Sequence, residues 1–175
     1  RIVKFTHGHV SISFMKNGNM MNQIFHDGDR MYEILKRKVP EALRIEEALG
    51  IFGRAIGNGV ADNVIMIGVN ISYTLTEDEL KEFASNFKMI EGSFEALGDT
   101  STGIPVIVAE QKAKYLKVGM GDHLKVRFTG VNNQTTSANL VIAGIFKPAN
   151  IFMSSPIFLN LKNARTLAGY GPHDI

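Results

Sequence analysis

The chain has 175 residues, 45% hydrophobic and 21% charged, enough for one domain or two small lobes and too apolar for disorder. Its net charge of +2 is too small, and along the sequence too evenly spread, to argue for nucleic acid. The absence of cysteine excludes disulfides, thiolate metal sites and thiol catalysis, and no apolar run approaches the roughly 18 to 20 residues that span a bilayer.

Val10, Ile12 and Phe14 alternate with His9, Ser11 and Ser13, the period of a half-buried strand, and Asn17-Gly18-Asn19 ends it in a turn. Asp27 to Lys38 reads as a helix. Met31, Ile34 and Leu35 share a face, Asp27 or Asp29 caps the start, and Pro40 lies beyond the end. The cluster Lys36-Arg37-Lys38 suits the negative end of that helix dipole. Leu43-Arg44-Ile45 predicts a short strand running irregularly towards Ile56. The apolar run 63–69 follows Gly57-Asn58-Gly59, which predicts a hairpin with its loop at 57–62. Thr76-Glu77-Asp78-Glu79 is a capping box, and Leu80, Phe83, Ala84 and Phe87 then fall on one helical face.

Glu91-Gly92 opens a segment rich in Gly, Ser and Thr that runs to Gly103. Residues 104–109 predict a buried strand and residues 109–116 a short helix, ended by Val118-Gly119. Gly121-Asp122 turns the chain into a strand over 124–128, and a polar loop at 132–137 leads to another over 140–146. Residues 157–159 predict a last short strand, and 163–167 a helical turn. This second part reads as a small β-rich lobe.

Few residues offer chemistry. His7 and His9 could begin a zinc site on one strand face, but a third ligand must come from elsewhere. His26, His123 and His173 lie in loop-like contexts with no matching acidic partner. Asp27, Asp29, Asp99 and Asp122 stand in turns near glycine, where aspartates cap helices or bond their own backbone. Glu46-Glu47 reads as a solvated strand edge or a bulge. Ser101, Ser137 and Ser154 lack the flanks of a nucleophile elbow, and neither Gly57-Asn58-Gly59 nor Gly119-Met120-Gly121 has the Lys-Ser/Thr of a phosphate loop. Met15, Met20, Met21 and Met31 suit either gaps in a core or an adaptable apolar surface. Asn70-Ile71-Ser72 and Asn133-Gln134-Thr135 match the glycosylation-acceptor pattern. No catalytic, cofactor-binding or metal residue is expected, and no enzyme activity.

The order of several short motifs resembles one family. Ile104-Pro105-Val106-Ile107-Val108-Ala109-Glu110-Gln111-Lys112-Ala113-Lys114-Tyr115-Leu116-Lys117-Val118-Gly119-Met120-Gly121-Asp122-His123-Leu124-Lys125-Val126 runs strand, short Ala-x-x-Leu-type helix, Gly-Asp turn and strand. That succession is similar to a stretch of the MacB-like periplasmic domains of ABC-transporter permeases, the group that includes the lipoprotein-releasing and FtsX-like permeases. Val141-Ile142-Ala143-Gly144-Ile145-Phe146, Ile65-Met66-Ile67-Gly68-Val69-Asn70 and Gly8-His9-Val10 resemble three further strands of that family in the same order.

The resemblance implies an α+β, two-lobed extracytoplasmic domain, with an α/β lobe over 1–90 and a mostly β lobe over 91–175. It would sit between two membrane helices on the periplasmic face of the bacterial inner membrane. It would bind no cofactor and no nucleic acid. It would carry movement, driven by a cytoplasmic ATPase subunit or domain acting through the membrane part, to cargo or a carrier protein outside. A second permease copy or a paralogue would stand beside it. Starting at Arg1 with strand-like residues and no signal peptide, the chain reads as a piece of a longer protein. The family's chain continues past the point matching Asp174-Ile175 with another strand, helix and strand, so either the sequence is cut short there or that return segment is absent. Three other readings stand beside this one. A free-standing extracellular binding module would have a signal peptide and no membrane helices. A cell-division permease domain would regulate a wall hydrolase and move no cargo. A hydrolase of unrecognised type would need a deep pocket lined by carboxylates or histidines.

Overall fold

The computed structural model describes residues 26–42, 45, 47–71, 81 and 84–174, and these form a mixed α+β fold. Helix α1 (Gly28–Lys38) starts where Asp27 accepts a hydrogen bond from the Arg30 N–H, the cap expected from the sequence. Strands β1 (Leu49–Ile56) and β2 (Ala61–Val69) pair antiparallel as the expected hairpin, Leu49 opposite Gly68 and Ile56 opposite Ala61. Lys81 and Ala84 are helical, in agreement with the helix expected there. The strand through Val10, the turn at Gly18, the methionines Met15, Met20 and Met21, Leu43-Arg44, and the capping box at Thr76 with Leu80 and Phe83 lie outside the described residues.

Strand β3 (Lys88–Gly92) and a 3₁₀ turn at Glu95–Gly98 occupy the start of what the sequence shows only as a Gly/Ser/Thr-rich segment. Strand β4 (Ile104–Ala109) and helix α2 (Glu110–Leu116) follow. That helix ends at Leu116 as expected, but its left-handed cap is Lys117, at φ 56°, and not the Val118-Gly119 pair. Strand β5 (His123–Thr129) leads to β6 (Thr135–Lys147), which is longer than expected. Thr135, Thr136 and Ser137 belong to it and not to a loop: their backbones pair with Thr129, Phe128 and Arg127, and hydroxyl side chains on its solvent side hide the strand period. A 3₁₀ turn at Ile151–Met153, strand β7 (Ile157–Asn160) and helix α3 (Leu161–Ala168) complete the series.

The pairings close on themselves. β1 joins β2, β2 joins β7, β7 joins β4, β4 joins β6, β6 joins β5, and β5 returns to β1, with β3 attached along the outer half of β6. The result is a six-stranded barrel in which each of those six strands has a partner on both sides. Residue 90 falls within β3, and strands from both sides of it share this sheet.

Alternation along the strands assigns two cores. Val106, Val108, Leu124, Val126, Leu140, Ile142, Ile157 and Leu159 point inward with Met66 and Ile51. Helix α2 closes one end with Ala113 and Leu116, and α3 closes the other with Leu161 and Ala164. Gly68 is needed at that second end, since a Cβ there would stand 2.9 Å from the Ala164 methyl. Outside the barrel, Phe87, Phe94, Phe146 and Phe158 form a second cluster, with rings 4.9 to 5.8 Å apart in edge-to-face and tilted contacts.

Gly144 marks the junction of the two cores. The β4–β6 register steps by one between Val106 and Ile107, leaving Ala143 as the extra residue and turning Phe146 outward. A glycine inside a strand is the residue type that such a bulge or close approach takes.

Candidate functional site

The structure gathers several of the residues weighed from the sequence, at a place the sequence does not indicate. Residues 26–29 lie against residues 171–174. The Gly28 N–H donates to the His173 carbonyl at 2.8 Å. His26 Nδ1 meets Asp174 Oδ1 at 3.0 Å, and His173 Nδ1 meets Asp29 Oδ2 at 2.5 Å. This corrects the expectation that His26 and His173 lack acidic partners: the partners are 148 and 144 residues away, beyond the reach of any local pattern.

Asp174 is the hub of this latch, with only 12% of its side chain exposed. Its Oδ2 accepts the Gly171 N–H at 2.6 Å, and its carbonyl accepts the Arg165 Nε–H at 2.9 Å. The Gly171 N–H, then the His26 ring and the Arg165 charge, hold its carboxyl below the usual carboxylate range, against the opposing effect of burial. Arg165 also reaches Glu47 at 2.7 Å, so α3 ties the latch to the start of β1. Glu47 is therefore an ion-pair partner and not a solvated edge. Nearby, burial pushes the Tyr170 hydroxyl up, with help from Asp174.

At the opposite end of the barrel, beside α2, a cleft of about 580 Å³ is lined by Asp62, Lys112, Tyr115, Asn150, Ile151 and Ser154 among others. Lys112 is buried and donates to Asp62 Oδ2 at 2.5 Å. Tyr115 and Ile151 on its lining are exposed at 57% and 79%, and Phe152, next to Ile151 in the chain, at 59%. None of these was singled out from the sequence. Nothing local in the sequence marks an aromatic on a helix or a hydrophobic pair in a loop as exposed.

The remaining residues take scaffold roles. Asp99 accepts from the Ser101 N–H, which lowers its carboxyl. Asp122 accepts from the Gly119 N–H at 2.9 Å, closing the turn as expected, and Gly121 supplies the positive φ of 79°. The Asn58 amide donates to the Lys117 carbonyl and its N–H to the Leu116 carbonyl, which docks the β1–β2 turn on α2. Ser154 bonds the Ile151 carbonyl, while His123 and Ser137 are exposed on their strands. Met31 is half-buried on α1. His7 and His9 lie outside the described residues, and among the described ones no three His, Asp or Glu side chains come together as a metal set.

No protein-family model matches the chain, and no curated protein does. Among solved structures it is similar to the extracellular domain of the noncanonic ABC-type transporter YknZ from Gram-positive bacteria, at 11% identity and a TM-score of 0.54. The likeness covers 93% of this chain and 76% of that one. The chain thus has the fold of the extracellular domain of an ABC-type transporter.

Proposed function

We propose that this chain is the extracytoplasmic domain of an ABC-transporter permease of the MacB-like type, standing outside the bacterial inner membrane. The observation that carries the reading is the fold shared with an ABC transporter's extracellular domain over 93% of the chain, together with the family-like order of motifs from Gly8 to Phe146. The domain works by moving and not by catalysing. ATP hydrolysed by a cytoplasmic partner shifts the membrane part, and the domain passes the shift to a cargo or carrier outside, in lipoprotein release or efflux. A closed barrel with a helical plug at each end suits this, since a close-packed interior transmits strain with little give. The latch suits it too, because it couples helix α1 to the segment after α3, so that a shift of one reaches the other. The paired, largely buried cations serve the scaffold: Lys112 holds Asp62, and Arg165 holds Glu47 and Asp174.

The chain has no cysteine, so one placed at exposed Ser101 reports cleanly. In the protein encoded by the whole reading frame, Ser101→Cys should react with a membrane-impermeant maleimide in intact spheroplasts, and the protein should co-purify with an ATPase. Labelling only after lysis would overturn the location. Secretion as a free protein without a membrane fraction would favour a binding module.

A further inference from the structure

The chain's charge, nearly balanced overall, is not balanced on the barrel wall. On the outer face of β1, β2, β5 and the first half of β6, the exposed side chains include Phe52, Arg54, Asn63, Lys125, Arg127 and Asn139. The register puts Arg54 directly opposite Arg127, and Lys125 is two residues along the same strand. Strand geometry then spaces the three cations about 5 and 7 Å apart. Like charges directly opposite one another destabilise a sheet. No carboxylate among the described residues relieves them: Asp62 is the one acid on these four strands, and Lys112 holds it. The cations come from positions 54, 125 and 127, so folding creates the patch and the sequence order conceals it.

We propose that this wall docks an acidic protein surface, whose carboxylates the two guanidinium groups accept as bidentate partners. Strand β5 is paired on both sides, by β1 and β6, so the contact is made by side chains and not by strand addition. A second copy of the same wall would set cation against cation and does not fit. A lipid surface gains a hold only on the order of millimolar from three basic side chains, with Phe52 the one large exposed apolar group beside them. Fixed carboxylates fit better, flanked by the amides of Asn63 and Asn139 as a polar rim.

The test titrates the ¹⁵N-labelled chain with a twenty-residue polyglutamate at low salt, and floats it with vesicles of phosphatidylglycerol in phosphatidylcholine. Amide shifts should concentrate on β1 and β5. Affinity should fall at least tenfold in Arg127→Glu and in the triple variant R54E/K125E/R127E, and should hold in K36E/K38E on α1. Arg127→Glu faces Arg54 with an opposite charge, so its melting temperature should not fall, which separates lost binding from lost folding. No binding, shifts elsewhere, or equal loss in K36E/K38E would overturn the proposal. So would flotation with the vesicles that Arg127→Glu abolishes, which would assign the wall to lipid instead.

Discussion

Gly92 and Gly121 both stand at positive φ, 69° and 79°, but their surroundings differ. A Cβ on Gly121 would meet nothing within 4 Å, so Gly121→Ala should cost only the left-handed strain, about 1 kcal/mol. A Cβ on Gly92 would overlap the Ala143 carbonyl oxygen and stand 2.9 Å from the Gly144 Cα, both backbone atoms at the bulge. Gly92→Ala should therefore cost roughly 2–4 kcal/mol. Urea denaturation of the two variants checks this, and equal midpoints would refute it. The difference also shows what is legible at this scale. Asp122 beside Gly121, and Gly144 within its strand, could be read from the sequence because their requirements are local. The partners of His26, His173 and Lys112 could not, because the acids that meet them lie 148, 144 and 50 residues away.

Elements were legible where an apolar period ran unbroken. β2, β4, β5 and α1 are such cases, and their bounds differ from the expected ones by two residues or fewer. β3 was hidden because four of its five residues are exposed, which leaves no buried face to mark a period. Helix α2 was legible as a helix but not as a plug, since that role depends on Lys112 being buried over Asp62. The pair is asymmetric: the Lys112 side chain is 8% exposed and that of Asp62 34%. Asp62→Ala strands a buried ammonium and should cost about 2–3 kcal/mol. Lys112→Met leaves a carboxylate that can turn to water and fills the same space, so it should cost under about 1 kcal/mol. Thermal melts of both variants decide it. A larger loss in Lys112→Met would mean that the pair is held by the demand of Asp62 and not by burial of the lysine.

Over the whole molecule, the α+β class was legible and the closure was not. β1 meets β5 and β2 meets β7 across about 70 and 90 residues, and nothing in a strand's own pattern names its neighbour. The same long reach makes the latch. Helix α1 buries only Gly28 among its residues and leaves Tyr32 exposed, so among the described residues its attachment depends heavily on residues 171–174. The carboxyl of Asp174, held low by the Gly171 N–H above all, sets the pH behaviour. A carboxylate with a depressed pKa lends stability above its unfolded value of about 3.9 and loses it as the pH falls through the folded value. Amides of α1, corrected for intrinsic rate, should therefore lose exchange protection as the pH drops below about 4, while those of β4 and β7 keep theirs. Asp174→Ala removes the acceptor of both Gly171 and His26, and should bring about tenfold faster exchange of α1 at neutral pH, with little further change in acid. If α1 and the barrel strands open together at every pH, the latch is not a separable unit and the domain opens as one body.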